Sequence, residues 1–261
     1  MNLKDLIDKL LKGEIKVEEV EKRIKLNYLA EVENWVKFDL NRELRRDLPE
    51  IVLGIGKKKE ELVKIVKRVL EEDERIILSK IDEESYNALK EILVNYDVKY
   101  YKEGRVLSVR RKGFKIKIKD RKIAIIAAGT ADIPIAEEAK ALVEEMGFEP
   151  LCFYDVGIAG LHRLFKPLKE ILEKKCDVVI VVAGMEGALP SVVSSLIDLP
   201  VIGVPTSVGY GFGSGGKAAL MSMLQSCSLG LAVVNINNGI GAGAIACLIA
   251  NRIYKEINYK E

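Results

Sequence analysis

The sequence predicts an α/β protein whose carboxyl-terminal part is a doubly wound parallel sheet, a flavodoxin-like three-layer arrangement, preceded by a smaller α+β domain. Three observations predict it. Five short apolar runs, at residues 123–127, 151–154, 177–183, 201–204 and 231–236, alternate with helix-spaced segments. The clearest of them, 177–183, is unbroken and β-branched, as a strand buried on both faces should be. The runs end in small or glycine-rich turns, which places those turns together at the carboxyl edge of the sheet, where open α/β sheets take their ligands.

Each element has a local reason. Residues 3–11 and 17–24 have helical spacing, with Leu3, Leu6, Ile7 and Leu10 on one face. Between 36 and 57 the chain reads VKFDLNRELRRDLPEIVLGIGK, where Pro49 and Gly54 fix the backbone. On spacing this is a solvated helix end and turn; the alternative is an anion-binding edge of Arg42, Arg45, Arg46 and Lys57 oriented by Asp39 and Glu50. A helix at 60–70 follows. A strand at 76–78, a helix at 83–93 opened by Asp82, and strands at 98–101 and 105–109 around Glu103 and Gly104 make a compact βαββ piece. The basic run 110–122 alternates Phe114, Ile116 and Ile118 with lysines and reads as a half-exposed strand or linker, which sets the domains at 1–118 and 119–261.

In the second domain the turn AAGTADIPIAEEAK offers Thr130 or Asp132 as the cap of a helix starting near Pro134, and free amides at such a start suit a phosphate or carboxylate. The strand 151–154 leads through DVGIAGLHRL into a helix. Gly184, Gly187 and Pro190 then turn the chain after 177–183, and a helix at 191–196 carries Val192, Val193 and Leu196 on one side until Pro200 ends it. The turn 209–216 precedes a helix from about Ser214, and the last strand runs into NNGIGAGA. None of these turns has GxGxxG or GxxxxGK[ST] spacing, which argues against an ordinary dinucleotide-binding Rossmann fold or P-loop.

Composition narrows the function classes. A net charge of +2, from 41 basic and 39 acidic residues, argues against a nucleic-acid surface. The four cysteines lack metal-ligand spacing and read as reduced thiols of a cytoplasmic protein. The charged, amphipathic amino terminus is not an export signal. Residues 229–250 are broken by Asn235, Asn237, Asn238 and glycines, so they read as buried core, and no membrane partner is expected.

Asp132 in GTAD, His162 in AGLHR and the stretch AGMEGALPSVVSSLIDLPVIGVPT resemble the ligand loops of the PurE family of aminoimidazole ribonucleotide carboxylases and mutases. Ala188 stands where that family usually carries a histidine, which points away from its purine substrate. Nearly the whole chain resembles the LarB family of nickel-pincer cofactor biosynthesis: DLNRELRRDLPEIVLGIGK, GTADIP, YDVGIAGLHRL, SVGYGFGSGG and QSCSLGLAVVNINNGIGAGA occur in that order. The resemblance implies a PurE-like carboxylase acting on nicotinic acid adenine dinucleotide. Carbon dioxide or bicarbonate would be the co-substrate, Mg²⁺ the cofactor and a homo-octamer the assembly. The products would be pyridinium-3,5-biscarboxylic acid mononucleotide and AMP. A purine-pathway carboxylase or mutase and a non-catalytic nucleotide-binding regulator stand as alternatives.

The resemblance assigns the covalent nucleophile to Cys227 in QSCSLG, whereas Cys152, Cys176 and Cys247 fall in strand or helix patterns. His162, the only histidine, takes a ligand-contacting or proton-transferring role, against the simpler one of capping a helix. Asp132 joins the catalytic set and, with Glu186, forms a candidate Mg²⁺ pair, a hard cation preferring oxygen ligands. Substrate contacts are expected from Gly129, Thr130, Asp155, Gly184, Glu186, Gly187, Ser207, Gly209, Gly211 and Gly213, with Arg42, Arg46 and Lys57 from the first domain. The glycines between 239 and 243 serve either turns and tight packing or the approach of backbone amides to an anion.

Overall fold

The computed structural model describes residues 3–24, 29–32 and 36–258, and the chain divides into two compact units, Met1–Lys115 and Ile116–Glu261. In the first unit, helices α1 (Leu3–Leu11) and α2 (Val17–Ile24) precede an antiparallel pair, β1 (Leu29–Val32) and β2 (Val36–Asp39). Leu6 on α1 is fully buried, but Ile7, expected on the same face, is 42% exposed. A short helix, α3 (Arg42–Arg46), leads to β3 (Ile51–Leu53), α4 (Lys59–Leu70), β4 (Arg75–Ser79), α5 (Glu83–Ile92), β5 (Tyr96–Tyr101) and β6 (Val106–Arg111). The sheet order is β3-β4-β6-β5, with only the β3–β4 pair parallel. Asp82 caps α5 as its position suggests, accepting a hydrogen bond from the Ser85 N–H at 2.7 Å.

The second unit holds β7 (Lys122–Ala127), α6 (Ile133–Glu145), β8 (Glu149–Phe153), α7 (His162–Glu173), β9 (Val178–Ala183), α8 (Leu189–Leu196), β10 (Val201–Pro205), α9 (Lys217–Leu224), β11 (Leu231–Val233) and α10 (Gly239–Asn258). Its five strands are all parallel, in the order β8-β7-β9-β10-β11. β9 is apolar throughout and β7 is apolar after Lys122, because both of their faces are covered. Ala124, Ile126, Val179 and Val181 pack on Leu164, Leu168 and Ile171 of α7, Leu189 and Val193 of α8, and Met223 of α9. The opposite face carries α6 and α10, which pack against each other as well as on the strands.

The α6–α10 contact decides between the two roles open to the glycines at 239–243, in favour of tight packing. Gly239, Gly241 and Gly243 lie inside the first turns of α10, not in a ligand turn. A Cβ on Gly239 would come within 2.3 Å of the Ile135 carbonyl oxygen, and one on Gly243 within 3.1 Å of that of Ala139. These two glycines let the helix backbones approach closely. α10 is capped by Asn238, whose Oδ1 accepts from the Gly241 N–H at 2.8 Å. Among the described residues no helix is long and apolar enough to cross a membrane.

Candidate active site

The chain leaves β7 outward to β8 and returns across it to β9, so the order reverses beside β7, and the turns after β7, β9 and β10 converge at their carboxyl ends. Backbone hydrogen bonds continue the ladders past the strands: Ala128 N–H to Val182 O at 2.9 Å, and Thr206 N–H to Ala183 O at 3.0 Å. The three turns are thereby held edge to edge.

At their centre is Asp132, only 4% exposed. It stands at the first position before α6, but its side chain does not cap that helix. Oδ1 accepts from the Thr206 hydroxyl at 2.6 Å and Oδ2 from the Gly129 N–H at 3.0 Å. Burial pushes the Asp132 carboxyl above the usual carboxylate range, and the Thr206 hydroxyl and the N–H groups of Gly129 and Gly184 pull it back. Thr206 is fully buried. Its hydroxyl oxygen also receives the Val208 N–H at 3.4 Å, while Val208 O accepts from Met185 N–H at 2.7 Å. Gly184 is required at this junction, because a Cβ there would fall 2.6 Å from Thr206 Oγ1 and 2.4 Å from Val208 O.

The other expected residues divide into groups. Gly184, Glu186 and Gly187 form the turn after β9, with Glu186 exposed and Gly187 N–H bonded to Gly184 O at 2.9 Å. Gly209 and Gly213 approach each other and the Met185 backbone in the loop after β10, which also carries Ser207 and Gly211. Thr130 is exposed beside Gly129. Asp155, after β8, is exposed and paired with Arg163 at 2.7 Å. His162 is the exposed first residue of α7. In the first unit, Arg42 and Arg46 are exposed on α3 and Lys57 donates to Leu53 O at 2.9 Å, while Arg45 is engaged by Asp39 at 2.6 Å.

Cys227 follows α9, four residues ahead of β11, on a segment where the Ser228 hydroxyl donates to Ser191 O at 2.9 Å and Gly230 O receives the N–H of Val201, the first residue of β10. No hydrogen bond joins it to Asp132, His162 or Glu186. It is nevertheless the exposed thiol of the four. Cys176 and Cys247 are buried and Cys152 half-buried, and burial pushes the Cys176 thiol up to about 11 and that of Cys152 upward.

Asp132 and Glu186 do not by themselves make a cation cage. Both oxygens of the first accept internal hydrogen bonds, the second is exposed, and among the described residues no group of three or more His, Cys, Asp or Glu side chains is placed to hold a metal ion. Two residues of the centre carried little signal in the sequence. Thr206 is an ordinary threonine after a strand, and Asn237 has no recognisable spacing, yet both tie the turns together.

Comparison with known proteins matches residues 122–260 to AIR carboxylase, which takes in the whole converging edge, and residues 30–112 to the LarB/PurE-like N-terminal domain. The chain belongs to the AIR carboxylase family. Its amino-terminal match makes it a LarB-type member of that carboxylase and mutase family. An uncharacterized protein of Methanocaldococcus jannaschii is 48% identical over 257 residues, 97% of this chain and 99% of the relative. The N5-carboxyaminoimidazole ribonucleotide mutase of Thermotoga maritima is 33% identical over 144 residues, 53% of this chain and 80% of the mutase. Among solved structures, a Treponema denticola PurE2 variant aligns with 54% of this chain and 92% of its own, at 21% identity and a TM-score of 0.38.

Proposed function

We propose that this AIR carboxylase family member carboxylates nicotinic acid adenine dinucleotide at pyridine C5 and hydrolyses its phosphoanhydride, releasing pyridinium-3,5-biscarboxylic acid mononucleotide and AMP. The observation that carries the reading is the exposed Cys227 in a chain that has the LarB-type amino-terminal domain as well as the carboxylase domain. The nicotinate ring is a poor carbon nucleophile, but its cationic nitrogen makes C4 electrophilic. Addition of the Cys227 thiolate at C4 turns the ring into a neutral dihydropyridine whose C5 is an enamine carbon. C5 attacks carbon dioxide, forming the carbon–carbon bond and an iminium. Loss of the C5 proton restores the enamine, and the nitrogen lone pair then expels the thiolate and regenerates the pyridinium. Water cleaves the phosphoanhydride.

Asp132, held by Thr206 and Gly129, and His162 at the start of α7 are the candidate groups for orienting the substrate and accepting the proton. Mg²⁺ fits the reaction as a cation brought with the substrate phosphates, and no step above depends on it. The exposed side chains of Met185, Tyr210, Phe212, Met221, Leu224 and Leu229 support burial of these surfaces in a homo-oligomer, with eight copies as the resemblance implies. Such an assembly can supply Cys227 to the carboxyl edge of a neighbouring copy.

The test is mass analysis after incubating the protein with the dinucleotide, bicarbonate and Mg²⁺. AMP and a mononucleotide heavier by one carboxyl group are expected. Unchanged dinucleotide with folded protein, together with turnover of N5-carboxyaminoimidazole ribonucleotide, would replace this reading with the purine one.

A further inference from the structure

The turn after β11 grips the turn after β10 through one side chain. Asn237 has a left-handed backbone, φ 56°, a conformation that Asn and Asp tolerate better than most residues. Its N–H donates to Pro205 O at 2.9 Å. Its Oδ1 accepts from the Ser207 N–H at 2.9 Å and its Nδ2 donates to the Ser207 hydroxyl at 2.8 Å. The orientation of the amide is fixed by chemistry: a backbone N–H needs an acceptor, so Oδ1 must face it and Nδ2 must face the hydroxyl oxygen.

The Ser207 hydroxyl therefore accepts from Asn237 and cannot donate to it. Its own proton points elsewhere, and among the described residues no side chain or carbonyl accepts it. Ser207 is exposed and immediately follows Thr206, the residue bonded to Asp132, so this proton is offered at the converging edge. We infer that Asn237 is a positioning residue that holds the Ser207 hydroxyl as a hydrogen-bond donor to an anionic oxygen of the substrate, phosphate or carboxylate. This rests on the reading of the substrate as an anionic dinucleotide.

Asn237→Asp is the informative change. It keeps the size of the side chain and suits the left-handed backbone, and one oxygen still accepts from the Ser207 N–H. The other oxygen can only accept, so it draws the Ser207 proton to itself and removes it from the ligand. Ser207→Ala deletes the same donor on an exposed side chain, where folding is insensitive. Binding of three probes, inorganic phosphate, nicotinate and nicotinic acid adenine dinucleotide, is to be measured by calorimetric titration, alongside the product assay.

Either single variant should weaken the dinucleotide roughly tenfold, the usual cost of losing a hydrogen bond to a charged group. The phosphate and nicotinate arms identify which oxygen is met. The double variant should bind no more weakly than Ser207→Ala within about twofold, because both changes remove one donor. Unchanged binding in the single variants overturns the inference. Losses that multiply in the double variant also overturn it, since they indicate repulsion by the new carboxylate. Weakened binding with no product in the wild type upholds the inference and sinks the proposed reaction. Product formation with undiminished binding in the variants does the reverse. A folded wild type that binds none of the probes sinks both.

Discussion

Replacing Thr206 with valine keeps the shape of a fully buried side chain and removes the hydroxyl that donates to Asp132 at 2.6 Å. The carboxylate, 4% exposed, is left with its backbone partners alone. A hydrogen bond to a charged group contributes about 1.5–3 kcal/mol, so a loss of about 2 kcal/mol is expected at neutral pH. For a chain of this length that lowers the thermal midpoint by about 4–8 °C. The pH dependence gives the sharper check. The folded pKa of Asp132 lies above its unfolded value, so the folded state binds this proton more tightly, and the associated stability is full below the unfolded pKa and lost as pH rises through the folded one. Removing a bond to the ionised form steepens that loss. The cost of Thr206→Val should therefore be smaller in acid, where the carboxyl is protonated in both states, and grow to its full size as pH rises through the folded pKa. Chemical denaturation of both proteins across a series of pH values from acid to neutral measures it. A cost that does not change with pH, or stays under about 0.5 kcal/mol throughout, would refute the placement of the Thr206 hydroxyl against the buried Asp132 carboxyl.

Cys227→Ser should leave stability within about 0.5 kcal/mol of wild type, as its exposure requires, and abolish carboxylation; near wild-type product formation would remove this thiol from the mechanism. Gly187→Ala combines φ 66° with a Cβ 2.7 Å from both the Cα and the carbonyl oxygen of Ala219 on α9, so a loss of about 3 kcal/mol or more is expected. Full expression with an unchanged midpoint would contradict that contact. Arg121→Met strands Asp177, whose side chain is 3% exposed and receives both Nε, at 2.7 Å, and Nη2 of the arginine. The expected cost is about 3–5 kcal/mol, partly recovered by adding Asp177→Asn; a cost under about 1 kcal/mol would show that the pair is not buried in solution.

The parallel sheet was legible because burial on both faces leaves a direct imprint: 178–183 has no polar residue to confuse the pattern. The first unit was less so. β3 has three residues between Pro49 and Gly54, too few to establish a period, and β2 mixes Lys37 and Asp39 into an edge where only alternate residues face inward. Asp132 was readable as a turn residue of the right chemistry, but its acceptor role depends on Thr206, 74 positions away, and no local pattern encodes such a pair. The glycines of α10 left two readings open for a physical reason: a close helix contact and a turn both demand a missing Cβ, and only the structure selects the contact. Cys227 stood out only by resemblance, since its helix-end position carries no electrostatic reason for reactivity.

The three turns around Asp132 also bear on how the protein reaches its working state. Gly129, Gly184 and Thr206 close on one carboxylate, yet they belong to three strands whose parallel pairings must span whole crossover helices. Such pairings are long-range and slow to form, because chain closure precedes the contacts that reward it. The carboxylate can lose its water only after β7, β9 and β10 have found register. A partly folded second unit would thus hold Asp132 solvated and without its Thr206 partner, and recovery of ligand binding on refolding should trail the recovery of helical signal. The centre is in this sense a late reporter of the fold, set in place only when the sheet beneath it is complete.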